Sequence, residues 1–264
     1  MKKIAIIGAG NMGGAIARGL TQSNLVASIT VSDINQTALD QLAAFHTSIS
    51  TTNNNAAAVK GADIVVLAVK PWLVQTVVEG IKEALNYQQQ IVVSIAAGVS
   101  LDDLTTLFDQ NGNLPVLFRL IPNTAIDVLQ SVNTIAAHSN ATEEEKALVC
   151  SIFDGMGKTF MVPENQLNAL MSLSSCGIAY AFRYIRAAIE GGVEMGIYPQ
   201  TAKEVVLQTL RGAVELLEAN GSHPEVEIDK VTTPGGITIK GLNEMEANGF
   251  TNAVIKGLKA SLIK

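Results

Sequence analysis

Gly8-Ala9-Gly10-Asn11-Met12-Gly13 stands directly behind the apolar run Ile4-Ala5-Ile6-Ile7 and opens a helical pattern through Ala15, Ile16 and Ala17. This stretch restricts the fold more than any other, because a strand must end, turn within a few residues and return as a helix packed on that strand. Gly8 suits the tight turn, Gly10 lets backbone N–H groups approach a pyrophosphate at the positive helix end, and Gly13 permits close helix–strand packing. Asp33 follows Gly13 by 20 residues, at the end of the next β-rich run, where a carboxylate accepts bonds from a ribose diol. The stretch therefore implies a parallel sheet with a dinucleotide cleft.

The pattern continues through the first half. Short β-branched runs at Lys3–Ile7, Ser28–Ser32, Ala62–Val69, Gln90–Ile95, Pro115–Arg119 and Asn133–Ala137 alternate with helical spacing, and Lys158–Val162 closes the series. Alternation of that kind predicts an α/β fold whose strands are buried on both faces. From Glu164 onward no strand pattern appears. Apolar positions recur at helical spacing, Pro199 starts a long helix, Gly221 and Pro224 punctuate it, and the tail from Ile237 divides into two helices at Asn248-Gly249. The expected organisation is a Rossmann-like domain over residues 1–162 and an all-helical domain over 163–264.

Composition excludes several classes of function. A net charge of -6 leaves no basic surplus for neutralising phosphate backbones, so no nucleic-acid partner is expected. Lys2-Lys3 before an apolar run resembles an export signal, but Gly8, Gly10 and Asn11 break the run after four residues. The uncharged stretch Gln166–Phe182 is interrupted by serines and an asparagine and is shorter than the roughly 20 apolar residues of a membrane span. Cys150 and Cys176, with no Cys/His cluster, imply neither a disulfide framework nor a metal. A cytoplasmic chain without a membrane partner is expected.

Further candidates lie at the carboxyl ends of later strands, where open α/β sheets hold ligands. Ala68-Val69-Lys70-Pro71 and Ile95-Ala96-Ala97 offer small residues against which a flat ring and a ribose can lie, with Lys70 either a phosphate or ribose contact or an ordinary turn lysine. Asn123 is equally a ligand contact or a turn residue after Pro122. Asp33 favours a free ribose diol, whereas Ser32 offers a hydroxyl to a 2′-phosphate and no arginine follows closely. NADPH and NADH both stay open. Thr232-Thr233-Pro234-Gly235-Gly236-Ile237-Thr238 is a glycine turn running into a helix, suited to a carboxylate, although capping by Thr232 or Thr233 would make it an ordinary helix start.

At this point the motifs resemble a known family. VTTPGGITIKGL is similar to the C-terminal signature of pyrroline-5-carboxylate reductases, close to VTSPGGTTIxGL, and IAIIGAGNMGGAI, LAVKP, SIAAGV, RLIPNTA, LSSCGIAYAF and HPEVEIDKV follow in the family's order. The resemblance implies reduction of 1-pyrroline-5-carboxylate to proline, the last step of proline biosynthesis, with NADPH or NADH as the hydride donor. It also implies a helical domain that interlocks with a second subunit, giving a dimer or an assembly of dimers. By the same resemblance Thr238 donates to the substrate nitrogen. Thr233, Gly235, Gly236 and the backbone around Ile237 and Ile239 hold the substrate, and Glu164 lies near it. Gly8, Ala9, Gly10, Asn11, Met12, Gly13, Ser32, Asp33, Asn55, Ala68 to Pro71, Ile95 to Ala97, Asn123 and Lys230 serve the cofactor. Ile178, Ala125, Ile237 and Lys230 depart from the family's usual residues. No lysine occurs between Lys158 and Lys203, where hydroxy-acid dehydrogenases of the same plan place a catalytic base.

Overall fold

In the computed structural model, residues 1–23 and 25–262 are described. They form two compact units, Met1–Ser175 and Cys176–Leu262.

The first unit runs β1 (Lys2–Ile7), α1 (Asn11–Ser23), β2 (Val26–Ser32), α2 (Gln36–Phe45), β3 (Ile49–Thr52), α3 (Asn55–Val59), β4 (Ile64–Leu67), α4 (Val74–Ile81), β5 (Ile91–Ser94) and α5 (Leu101–Phe108). It continues with β6 (Val116–Ile121), β7 (Ser131–Ala137), α6 (Glu143–Asp154), β8 (Gly157–Met161) and the short α7 (Leu167–Met171). The strands make one eight-stranded sheet in the order β3-β2-β1-β4-β5-β6-β7-β8. Every pairing is parallel except β6 with β7. This is the α/β architecture expected from the alternating pattern.

Period-two alternation divides the apolar side chains between two cores. Ile4, Ile6, Ile29, Val31, Val66, Val93 and Phe118 pack against Ile16 and Leu20 of α1, Leu39 of α2 and Val149 and Phe153 of α6. On the other face Ala5, Ile7, Val65, Leu67, Val92 and Leu117 meet Val59 of α3, Val78 and Ile81 of α4, and Leu104 and Phe108 of α5. Leu167 and Met171 belong to this second core. That is why the packing division falls at Ser175, beyond residue 162 where strand patterning stops.

The edge strand β3 is absent from the expectation. Its sequence Ile-Ser-Thr-Thr carries one buried apolar residue, and it pairs only with β2 at the sheet margin, so it lacks the apolar run that marks the central strands.

The second unit holds α8 (Gly177–Glu194), α9 (Pro199–Asn220), α10 (Pro224–Val231), α11 (Ile237–Ala247) and α12 (Phe250–Ala260). Helix α9 begins with Pro199 at its first position and ends on Gly221 in the left-handed region at φ 59°. Gly249, at φ 80°, breaks α11 from α12. Gly192 on α8 faces Ala202 on α9 so closely that a Cβ there would lie 3.0 Å from the Ala202 Cβ. Tyr180 donates to the Gly257 carbonyl at 3.3 Å, and Tyr184 meets Phe250 edge-on at 6.4 Å, tying α8 to α12. Among the described residues no helix is long and apolar enough to cross a membrane.

Candidate active site

Register places the cleft. Ile7 pairs with Ser32 on one side and Leu67 on the other, and Leu67 pairs with Ser94, so four strands end level. The residues that follow them, Gly8, Asp33, Ala68 and Ile95, therefore open on one sheet edge. This edge is also where the strand order reverses about β1 and β4.

The three glycines have different tasks. Gly8 adopts φ +111°, its N–H donates to the Ser32 carbonyl at 2.7 Å, and a Cβ there would strike the Ala68 carbonyl. A Cβ on Gly13 would strike the Gly8 carbonyl, so Gly13 is what lets α1 lie on its own strand. At Gly10 a Cβ would meet nothing within 4 Å. The space it leaves borders the first turn of α1, which has no acidic residue and whose first helical bond is Gly14 N–H to the Gly10 carbonyl. The N–H groups before that bond face outward at a positive helix end.

A cavity of about 540 Å³ extends from this turn. Gly8, Gly10, Asn11, Met12 and Asp33 line one side, Ala68 to Pro71 and Ile95 to Ala97 the others, and Leu73 completes the wall. Twelve expected cofactor residues thus converge; Leu73 is an addition, carried in by the single turn Pro71–Leu73. The outward N–H groups, the open space at Gly10 and the small-residue walls fit a nicotinamide dinucleotide. A second cavity of about 300 Å³ continues past Asp33 and is lined also by Ala9, Arg18, Asn35, Ala38 and Gln41. The Asp33 carboxylate is fixed there, accepting from Ala9 N–H at 2.5 Å and Asn35 N–H at 2.8 Å.

The second unit presents the glycine turn. Gly235 takes φ +72°, Gly236 N–H donates to the Thr233 carbonyl at 2.9 Å, and Gly236 stands at the N-cap of α11. No side chain caps this helix and its first turn has no acidic residue. Thr232 is turned back instead, donating to the Ile228 and Asp229 carbonyls. Neither threonine makes the ordinary cap. Thr238 lies in the first turn between Ile237, 85% exposed, and Ile239.

Residues 164–264 match the family model described as pyrroline-5-carboxylate reductase dimerisation, and residues 3–98 match that of an NADP oxidoreductase, coenzyme F420-dependent. The chain is 34% identical to the pyrroline-5-carboxylate reductase of Arabidopsis thaliana, over 98% of this chain and 94% of that protein. The chain belongs to the pyrroline-5-carboxylate reductase family. It is 35% identical to pyrroline-5-carboxylate reductase 1 of Dictyostelium discoideum, spanning 98% of this chain and about half, 48%, of that protein. The solved Plasmodium falciparum pyrroline carboxylate reductase with NADP bound superposes with a TM-score of 0.89 at 25% identity, covering 99% of this chain and 95% of that one.

Several residues that the reductase resemblance assigns to ligands are engaged by the protein itself. Ser32 is fully buried and donates its hydroxyl to Asn55 Oδ1 at 2.6 Å, so these two are brought together beneath the cleft edge. Asn55 begins α3, which Asn54 caps. Asn123 is nearly buried and accepts from Ala125 N–H at 3.1 Å, which is the turn arrangement. Lys230 bonds Glu227 at 2.7 Å; this contact and the Ser222 hydroxyl hold the Glu227 carboxyl down at about 2.

Glu164 is held in the same way. Its Oε1 accepts from Arg119 at 2.6 Å and from Leu101 N–H, the first residue of α5, at 2.7 Å. Arg119 is only 6% exposed on β6, so Glu164 is the counter-charge of a buried guanidinium. Arg119 escaped the sequence reading, although an arginine inside the run Val-Leu-Phe-Arg-Leu-Ile signals a buried charge that needs a partner.

Proposed function

We propose that this chain reduces 1-pyrroline-5-carboxylate to L-proline, the last step of proline biosynthesis, with NADPH or NADH in the sheet-edge cleft. Bound there, the reduced nicotinamide supplies hydride to the C=N carbon. The observation that carries the reading is the N-terminus of α11, which no side chain caps and no carboxylate neutralises. Its N–H groups receive the substrate carboxylate, with Thr233, Gly235, Gly236, Ile237 and Ile239 shaping the turn around it. The Thr238 hydroxyl donates to the ring nitrogen. The neutral imine nitrogen accepts that bond and takes up a proton from solvent as hydride reaches the carbon, so orientation and one hydrogen bond suffice where an alcohol oxidation needs a base.

The functional division follows residues 1–162 for the dinucleotide and 163–264 for substrate and assembly, in keeping with the family model that begins at residue 164. The working form is a homodimer or an assembly of dimers, supported by the apolar side chains the helices leave exposed. Its setting is the cytoplasm, supported by two free thiols. The acidic balance favours neither nucleic acid nor an anionic membrane surface as a partner.

Thr238→Val keeps the shape and removes the donor. Negative charge builds on that nitrogen as hydride arrives, and loss of a hydrogen bond to a charged group is worth about 1.5–3 kcal/mol, so kcat/KM for the cyclic imine falls roughly 10- to 100-fold. Cofactor Kd, measured by nicotinamide fluorescence, stays constant. Wild-type turnover in the variant would remove Thr238 from the mechanism.

A further inference from the structure

We propose that Asp33 makes NADH, rather than NADPH, the preferred cofactor of this reductase. The inference rests on the reading of the sheet-edge cleft as a nicotinamide dinucleotide site and deepens it.

Asp33 borders both cavities, and the Ala9 and Asn35 N–H groups fix its carboxylate at the end of β2. Those two bonds occupy half of the roughly four lone-pair positions of a carboxylate, leaving acceptors for the ribose hydroxyls. A 2′-hydroxyl donates to such a group; a 2′-phosphate adds about two negative charges beside it.

No counter-charge is at hand for that phosphate. Arg18 is the one cationic side chain lining the smaller cavity among the described residues, and Asp127 already holds it with two bonds, Nε to Oδ1 at 2.6 Å and Nη2 to Oδ2 at 3.2 Å. Its remaining nitrogen lies over Gly14, 3.3 Å from where a Cβ would stand. No lysine or arginine occurs between Arg18 and Lys60, so the loop after β2 carries none. The Ser32 hydroxyl is buried and committed to Asn55. The N-terminus of α2, the other local anion site, is closed by the Asn35 side chain accepting from Ala38 N–H. In the smaller cavity and the loop after β2, every group that would welcome a 2′-phosphate is neutralised or turned inward, and Lys70 lines only the larger cavity, while the one group suited to a diol faces the site.

The test is equilibrium binding of NADH and of NADPH to the full-length protein, by nicotinamide fluorescence titration, alongside turnover with each. The wild type binds NADH at least about tenfold more tightly. Asp33→Asn removes the charge and keeps one of the two oxygen acceptors that Ala9 and Asn35 use, and narrows that ratio severalfold. Ile34→Arg, at a side chain 96% exposed and therefore safe for folding, supplies the missing cation and tightens NADPH about tenfold with NADH little changed. Equal or tighter wild-type binding of NADPH would overturn the inference and leave the cleft's role intact, as would an unchanged ratio in Asp33→Asn. Binding of neither cofactor would overturn the inference together with the reading of the cleft.

Discussion

The two units of the chain solve burial differently. In the sheet unit both faces are covered, and Phe108, Phe118 and Phe153 are almost wholly inaccessible. In the helical unit Ala202 is the one buried apolar residue among those described, whereas Phe182 on α8, Val205, Val214 and Leu216 on α9, and Val254 and Ile255 on α12 stay exposed. The sheet unit has a core of its own. The helices have apolar faces in search of one, as expected of a unit whose stability is inseparable from assembly. On the proposed function chemistry follows the same division, because a rigid sheet edge can prearrange a cleft within one chain, while helices completed by a second copy would link the proposed substrate segment to oligomerisation.

The largest expected effect breaks this contrast outright. At exposed positions of a self-sufficient monomer, a change to glutamate is worth within about 0.5 kcal/mol. At an obligate interface it buries unpaired charge and costs several kcal/mol. The double variant Phe182→Glu with Leu216→Glu is therefore expected to scatter light as a monomer at micromolar concentration, to lose more than about 100-fold in turnover, and to keep cofactor binding in the sheet unit. Unchanged mass and turnover would mean that the exposed faces have no role in assembly.

What was legible in the chain sorts by distance along it. The turn at Gly8, Gly10 and Gly13, the small residues after β4 and β5, and the glycine start of α11 are local arrangements, set by backbone conformation within a few residues, and they appear where the motifs predict. The pairings that set electrostatics join distant residues: Ser32 with Asn55, Arg119 with Glu164, Arg18 with Asp127. Periodicity carries no information about these. For that reason Ser32, Glu164 and Lys230 read as ligand contacts from motif position, and prove to have protein partners once the fold is in place.

A middle-sized effect sharpens the contrast from the sheet side. Glu164→Leu strips buried Arg119 of its partly exposed counter-charge, and leaving that guanidinium unpaired costs up to about 3–5 kcal/mol. Arg186→Leu on α8 removes an exposed pair with Glu190 and is expected to cost less than about 1 kcal/mol. Denaturant midpoints of the two variants measure the difference. Comparable losses would show that the helical unit is as closed in solution as the sheet unit.

The smallest effect concerns acid, where the two units should behave alike. Asp103 has its carboxyl lowered by the Ser100 hydroxyl and N–H in the cap of α5, and Glu227 is lowered to about 2 by Lys230 and Ser222 beside α10. Both carboxyls are depressed on folding, so each stabilises the native state above its unfolded value of 3.8 or 4.5. That contribution is lost as pH falls through the folded value. Thermal melts should therefore be insensitive to these groups between pH 6 and 8 and fall below about pH 4.5. Glu227→Gln should flatten the slope between 4.5 and about 2 only slightly, because Lys230, its main partner, is exposed and water screens the pair. Asp103→Asn should flatten it below 3.8. A slope unchanged in both variants would place the acid sensitivity in other carboxylates.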